Sequence, residues 1–380
     1  MIPFIDLKAQ QDKIRTNIDL AIKKVLDHGK YIMGPEVYAL EESLSNHTGA
    51  PYAISCSSGT DALVLILMAL GIKPGQAVMV PTFTFSATAE VVALLQGRCI
   101  FVDVDPNTFN LCPKHLATTL SKCHSQGIEP VGVIAVDLFG LMADYKAIKE
   151  ITDQHGMWVI ADSAQSFGAH SPEGKMGHMG IATATSFFPA KPLGCYGDGG
   201  AIFTHDESLM QTIKSLRVHG MGQHRYDYLR IGINGRLDTI QAAILLEKLK
   251  IYPEEVERRQ AVAQRYNELL NTCFQIPQVN TGYQSVWAQY TLKAEVTEDR
   301  ETFQAELKSQ GIPTVVYYPK PLHTQPAYKG YVLDGQSFEV SEELAHTVFS
   351  LPMHPYVGEE VFSLLEKAVL LHEYQQPVRV

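Results

Sequence analysis

Lys191 lies in Ser186-Phe187-Phe188-Pro189-Ala190-Lys191-Pro192-Leu193-Gly194, on a loop bounded by proline and glycine that leaves an apolar strand downstream of Asp162-Ser163-Ala164-Gln165. A lysine amine condenses with an aldehyde to give a Schiff base. A buried carboxylate can hold a proton on a pyridine nitrogen, so that the ring accepts electrons from a substrate carbon. The pair points to a pyridoxal 5'-phosphate site with Lys191 as anchor and Asp162 as tuner. Phe187, Phe188, Pro189, Pro192 and Leu193 give the lysine an apolar setting that disfavours the ammonium.

A cofactor phosphate needs aligned donors, and Ser58-Gly59-Thr60 opens an apolar helix whose first N–H groups can gather around an anion. The same residues serve equally well as an ordinary N-cap. Thr82-Phe83-Thr84-Phe85 follows another strand and can set Phe85 against a cofactor ring, while Gln165 can reach the same cavity from beyond Asp162. Taken singly, each has a plain structural reading: Asp162 as a cap, Lys191 solvated, Gln165 on a helix surface, Phe85 in the core.

Positioning such groups takes a rigid frame. Between about residues 50 and 205, short β-rich runs alternate with longer helical stretches: Ala77–Val80, Cys99–Val102, Val131–Val136, Met157–Ile160, Thr185–Phe188 and Ala201–Thr204. This alternation predicts an α/β fold with a mostly parallel sheet, and the wholly apolar runs predict helices on both faces. Asp162 falls at a strand's carboxyl end, where open α/β sheets collect ligands. Asp238–Lys250 reads as a helix, and a second helical stretch runs from Pro253 to Leu270. Strand-like Ala288–Leu292, helix-like Arg300–Gln310 and strand-like Thr314–Tyr317 then predict a smaller α+β domain. The division expected is 1–250 for the large domain and 251–380 for the small one.

The 380 residues, 46% of them hydrophobic, suffice for a large core, and six scattered cysteines without a CxxC pair fit reduced thiols better than disulfides or zinc. The N-terminus has no signal-peptide pattern, and the apolar run Ala62–Leu70 is too short to span a bilayer. The expectation is a cytoplasmic protein without a membrane segment or metal site. A net charge of −10 argues against binding nucleic acid through a broad basic surface, yet leaves room for a phosphorylated small molecule held in a local pocket.

Six blocks stand in a telling order: His28-Gly29-Lys30-Tyr31-Ile32-Met33-Gly34-Pro35-Glu36, Ser58-Gly59-Thr60-Asp61-Ala62-Leu63, Pro81 to Phe85, Asp162 to Gly168, Ser186 to Lys191 with Gly197-Asp198-Gly199-Gly200, and Asn234-Gly235-Arg236-Leu237-Asp238. With them the chain resembles, over essentially its whole length, the DegT/DnrJ/EryC1/StrS family of PLP-dependent sugar aminotransferases. The resemblance implies a fold-type I (aspartate aminotransferase-like) homodimer with its active site at the subunit interface. By resemblance, Lys191 binds the cofactor and shuttles the proton, and Asp162 pairs with the pyridine nitrogen. Phe85 and Gln165 would flank the ring; Ser58, Gly59, Thr60 and Ser186 would hold the phosphate, and Asn234 would reach it from the partner subunit. Some members carry histidine in place of this lysine and run dehydration, so Lys191 favours transamination.

Within the family the likeness is strongest to members acting on UDP-2-acetamido-2-deoxy-ribo-hex-3-uluronate, in surface polysaccharide (O-antigen) biosynthesis, with glutamate as amino donor. Arg236 is the candidate for the uronate carboxylate, its plain reading being an ion pair with Asp238 or another carboxylate. Tyr317, Tyr318 and His323 are candidate sugar contacts, although Tyr317 stands where that subgroup often has histidine. Alternatives are a 4-aminotransferase on a UDP- or dTDP-4-keto-6-deoxy sugar, a PLP-dependent lyase or desulfurase using Cys195 or Cys56, and a non-catalytic PLP sensor.

Overall fold

Local chemistry sets where the elements begin in the computed structural model, which describes residues 2–224 and 226–375. The Asp6 carboxylate accepts the Ala9 N–H at 2.9 Å and opens α1 (Leu7–His28); Pro35, in the first turn, opens α2 (Pro35–Thr48). The chain continues through β1 (Tyr52–Cys56), α3 (Gly59–Ala69), β2 (Ala77–Pro81), α4 (Ala87–Leu94), β3 (Arg98–Val102) and α5 (Pro113–Ser125). Next come β4 (Pro130–Val136), α6 (Tyr145–Asp153), β5 (Trp158–Asp162), a hairpin of β6 (His170–Ser171) and β7 (Gly174–Lys175), β8 (Ala182–Ser186), β9 (Gly200–Thr204) and α7 (Glu207–Leu216). The remainder is α8 (Thr239–Leu270), β10 (Tyr290–Lys293), α9 (Thr297–Ser309), α10 (Glu339–Thr347), β11 (Val348–Leu351) and α11 (Glu359–Gln375).

Seven strands form one sheet in the order β1-β9-β8-β5-β4-β2-β3, parallel except for β9, which runs antiparallel to both neighbours. Side chains alternate between its two faces. Met79, Val133, Ala135 and Ala161 pack into one buried cluster, while Val78, Val80, Ile134 and Ile160 pack into another. Both faces are thus covered, as the apolar runs predict.

A third core joins Val262, Tyr266 and Leu270 to Tyr290, Leu292, Phe303, Phe349 and Leu365. It belongs to the smaller α+β unit built on the antiparallel pair β10–β11. Ala242, Leu245 and Tyr252 of α8 pack with the sheet, so this helix leaves one core and enters the next, and residue 250 falls inside it.

Three local expectations change. The helical stretches on either side of Pro253 are one helix: α1, α2 and α11 pack on it, and Gln10 and Lys13 of α1 bond Glu255 and Glu254 just past the proline, holding the axis across the missing N–H. Thr185–Phe188 is displaced: the strand is Ala182–Ser186, and the Phe187 carbonyl turns back to accept the Cys195 N–H at 2.8 Å. Thr314–Tyr317 is no strand; only Val315 pairs, with Ser350, whose strand has its regular partner in β10.

Candidate active site

Parallel strands deliver their carboxyl ends to one edge of the sheet, where loops can converge on a ligand. At this edge β5 ends in Asp162, β8 ends in Ser186, β2 leads to Thr82–Phe85, and β1 leads to Ser58. Asp162 is 6% exposed. Its Oδ2 accepts the Thr88 hydroxyl at 2.8 Å and its Oδ1 the Ala164 N–H at 3.3 Å. Burial raises its pKa, opposed by those two donors and by the charge of Lys191.

Lys191 extends from the loop after β8, its backbone N–H fixed to the Phe188 carbonyl at 2.8 Å. Burial lowers its pKa and Asp162 raises it, with burial the larger effect. Its side chain has no hydrogen-bond or ion-pair partner among the described residues. The result is a partly buried amine with its lone pair made more available, held in the field of a buried carboxylate.

Gly59 and Ser186 meet closely. A Cβ built on Gly59 would lie 2.7 Å from the Ser186 Cβ, and one on Gly200 would lie 2.4 Å from the Ser58 carbonyl oxygen. Only glycine lets β9 and the start of α3 approach in this way. The Ser58 hydroxyl accepts the Asp61 N–H at 3.0 Å, so it caps α3. The N–H groups of Gly59 and Thr60 precede the first helical acceptors and remain available for an anion beside Ser186. An unpartnered amine, a buried carboxylate and an anion-ready helix start at one sheet edge fit pyridoxal phosphate.

Gln165 is buried between two elements rather than lying on a surface. Its Oε1 accepts the Phe139 N–H at 2.6 Å, and its Nε2 donates to the Tyr318 hydroxyl at 3.3 Å. Tyr317 and Tyr318 are partly buried, and burial raises both phenols. Phe85 is 59% exposed, which departs from a core reading, and Phe188 is exposed as well. Asn234 is exposed and its backbone bridges Val218; Arg236 is half-buried, with an Nε that is buried and unpaired. Arg236 makes no ion pair with Asp238 among the described residues.

His323 stands apart. Its Nδ1 meets the Thr82 hydroxyl at 2.8 Å, its Nε2 meets Glu342 at 3.1 Å, and its ring stacks on Phe338. Both nitrogens are therefore occupied within the fold.

Two residues escaped the sequence reading. Thr88 has no distinguishing signal, since an ordinary helical threonine meets Asp162 only in three dimensions. Asp137 has one: like Asp162, it follows an apolar strand. Its carboxylate accepts the Ala143 N–H at 2.9 Å, the Tyr145 hydroxyl at 2.7 Å, and the Ser163 and Ser166 hydroxyls at 2.6 and 2.7 Å. It therefore fastens the turn that carries Asp162 and Gln165.

A cysteine nucleophile finds no support here. Cys56 and Cys195 are fully buried, and burial pushes their thiols up to about 12 and about 11. Among the described residues no cluster suited to a metal ion occurs, and no helix is long and apolar enough to cross a membrane.

The sheet, the smaller α+β unit and this lysine–carboxylate pair define the fold-type I class of pyridoxal phosphate enzymes. The chain belongs to the DegT/DnrJ/EryC1/StrS aminotransferase family, whose sequence profile matches residues 12–367. It is 47% identical to the UDP-2-acetamido-2-deoxy-3-oxo-D-glucuronate aminotransferase of Pseudomonas aeruginosa, across 94% of this chain and 96% of that one. It is 37% identical to the UDP-N-acetyl-3-dehydro-alpha-D-glucosamine 3-aminotransferase of Acidithiobacillus ferrooxidans, across 94% of each. Among solved structures, a DegT DnrJ EryC1 StrS aminotransferase from Brucella abortus superposes with a TM-score of 0.94 at 47% identity, covering 97% of this chain and 99% of that one. A Bacillus subtilis protein solved with bound cofactor PMP gives 0.89 at 29% identity, covering 98% and 85%.

Proposed function

We propose that this enzyme transfers an amino group from glutamate to C3 of UDP-2-acetamido-2-deoxy-ribo-hex-3-uluronate, in the cytoplasm, for a surface polysaccharide such as O-antigen. The observation that carries the transamination is the unpartnered Lys191 amine in the field of buried Asp162. The substrate rests on the 47% identity to the Pseudomonas enzyme over nearly the full length of both chains.

Pyridoxal phosphate, once bound, supplies a protonated pyridine ring that draws off the electron pair of a breaking substrate C–H bond. Lys191 would hold the cofactor through Nζ and, as a free amine, would carry the substrate proton on that same nitrogen. Asp162 keeps the pyridine nitrogen protonated, and Thr88 orients the carboxylate. Phe85 and Gln165 would flank the ring; Ser58 shapes the turn from which Gly59 and Thr60, with Ser186, would hold the phosphate. Asn234 of the partner subunit completes that cradle in a homodimer. The exposed Phe85, Phe188, Tyr228, Leu229 and Ile231 support such a partner, since apolar side chains of this size favour burial. Arg236 answers the uronate carboxylate with its guanidinium, and Tyr317 and Tyr318 contribute hydroxyls to the sugar.

The test is incubation with glutamate and either this 3-keto sugar or a UDP- or dTDP-4-keto-6-deoxy sugar, with NMR locating the new nitrogen. Nitrogen at C3 of the uronate is expected; turnover of only the 4-keto sugars would move the substrate assignment to the alternative.

A further inference from the structure

Lys248 is a buried amine outside the chemistry described above. It is 1% exposed in α8, yet it has no ion-pair partner among the described residues. Its Nζ donates to the Gly194 carbonyl at 2.6 Å and lies 4.4 Å from the centroid of the Tyr196 ring. Burial brings its pKa down to about 8, with Glu255 and Cys195 opposing the shift. Glu255 is itself engaged by Gln10 and Tyr356. Burying an ammonium on one carbonyl and one aromatic face is costly.

Gly194 closes the loop that bears Lys191. The neck of the loop is pinned by Cys195 N–H to Phe187 carbonyl at 2.8 Å. Gly194 itself backs so tightly onto the loop that a Cβ would lie 2.5 Å from the Pro189 carbonyl and 2.6 Å from that of Phe188. Two turns before Lys248, on the same face of α8, Gln241 accepts the Tyr196 N–H at 2.8 Å and donates to the Tyr196 carbonyl at 3.3 Å. The helix therefore grips the outgoing limb of the loop at two successive points, with the charged one nearer Lys191.

We propose that Lys248 is a positioning residue: its charged hydrogen bond to the Gly194 carbonyl sets the orientation of the Lys191 loop and so the aim of the reacting amine. This rests on Lys191 being the cofactor anchor. A charge-assisted bond is shorter and stiffer than a neutral one, and displacement of a reacting group by about 1 Å can cost about a hundredfold in rate.

The test uses holoenzyme carrying Lys248→Met, with Lys191→Ala in parallel. Lys248→Met is expected to stay folded in buffer but to unfold in urea at a somewhat lower midpoint than the wild type, because the buried Gly194 carbonyl loses its donor. Its single-turnover rate with saturating glutamate is expected to fall about tenfold or more, with little change in half-saturation, and the pH titration of the cofactor absorbance band is expected to shift. Wild-type rate and titration would overturn the proposal, as would a rate loss that disappears once the unfolded fraction is subtracted. An unchanged absorbance band in Lys191→Ala would instead overturn the anchor assignment, which keeps the two failures distinct.

Discussion

The amide nitrogen of Gln165 donates to the phenolic oxygen of Tyr318 at 3.3 Å, and this bond joins the sheet edge to the segment between α9 and α10. The other end of the same amide accepts the Phe139 N–H. Gln165 therefore bridges two layers, while Tyr318 packs edge-on to Phe83 with a ring-centroid separation of 6.0 Å. Tyr318→Phe keeps this packing and removes only the hydroxyl, at a stability cost of about 1 kcal/mol. In steady-state assays its KM for the keto sugar should rise more than its KM for glutamate; equal changes would remove Tyr318 from the sugar site.

Asp162 and Thr88 separate chemistry from orientation. Asp162→Asn retains an oxygen that can accept the Thr88 hydroxyl, so the protein should fold, while turnover falls by about 10²–10⁴-fold because the amide cannot keep a pyridine nitrogen protonated. Thr88→Val should cost about 1.5–3 kcal/mol in stability, the range for a hydrogen bond to a charged group, with a smaller loss of turnover. Thermal unfolding and kcat measured on both variants check the ordering.

Gly59→Ala pushes a methyl group against Ser186, where the built Cβ sits 2.7 Å from the Ser186 Cβ. Overpacking of this kind costs about 1–3 kcal/mol, and here the strain falls on the phosphate cradle. Dialysis should strip the cofactor from the variant faster than from the wild type, and added pyridoxal phosphate should restore the absorbance band. Equal retention would place the phosphate elsewhere.

Two buried groups pull acid stability in opposite directions. Burial, helped by Arg259, holds the His354 imidazole down at about 4, whereas an exposed histidine titrates near 6.5. Between these values the unfolded chain binds a proton that the folded chain refuses, so this histidine destabilises the fold as pH falls, by up to about 3 kcal/mol. Asp137, pushed up to about 6 by burial, binds its proton more readily when folded and so stabilises the fold across nearly the same fall in pH. Asp137→Asn removes that compensation. Urea midpoints between pH 4.5 and 7 should therefore slope more steeply with pH in the variant than in the wild type; parallel slopes would overturn the assignment.

The sequence by itself determined the class of the sheet, because strands covered on both faces must be apolar throughout and such runs are visible without coordinates. It also determined the family, since six short motifs stand in order along the chain. What only the tertiary structure decided are relationships between distant segments. Thr88 meets Asp162 from 74 positions away, and Lys248 meets Gly194 from 54. No periodicity or local motif encodes such pairings, which arise when helices dock over the sheet. The same docking occupies both nitrogens of His323, for which the family resemblance implies a sugar contact, and carries α8 unbroken across Pro253, where local rules predict a helix boundary. Local propensity yields at Pro253 because burial against neighbouring helices contributes more free energy than the chain's local preference.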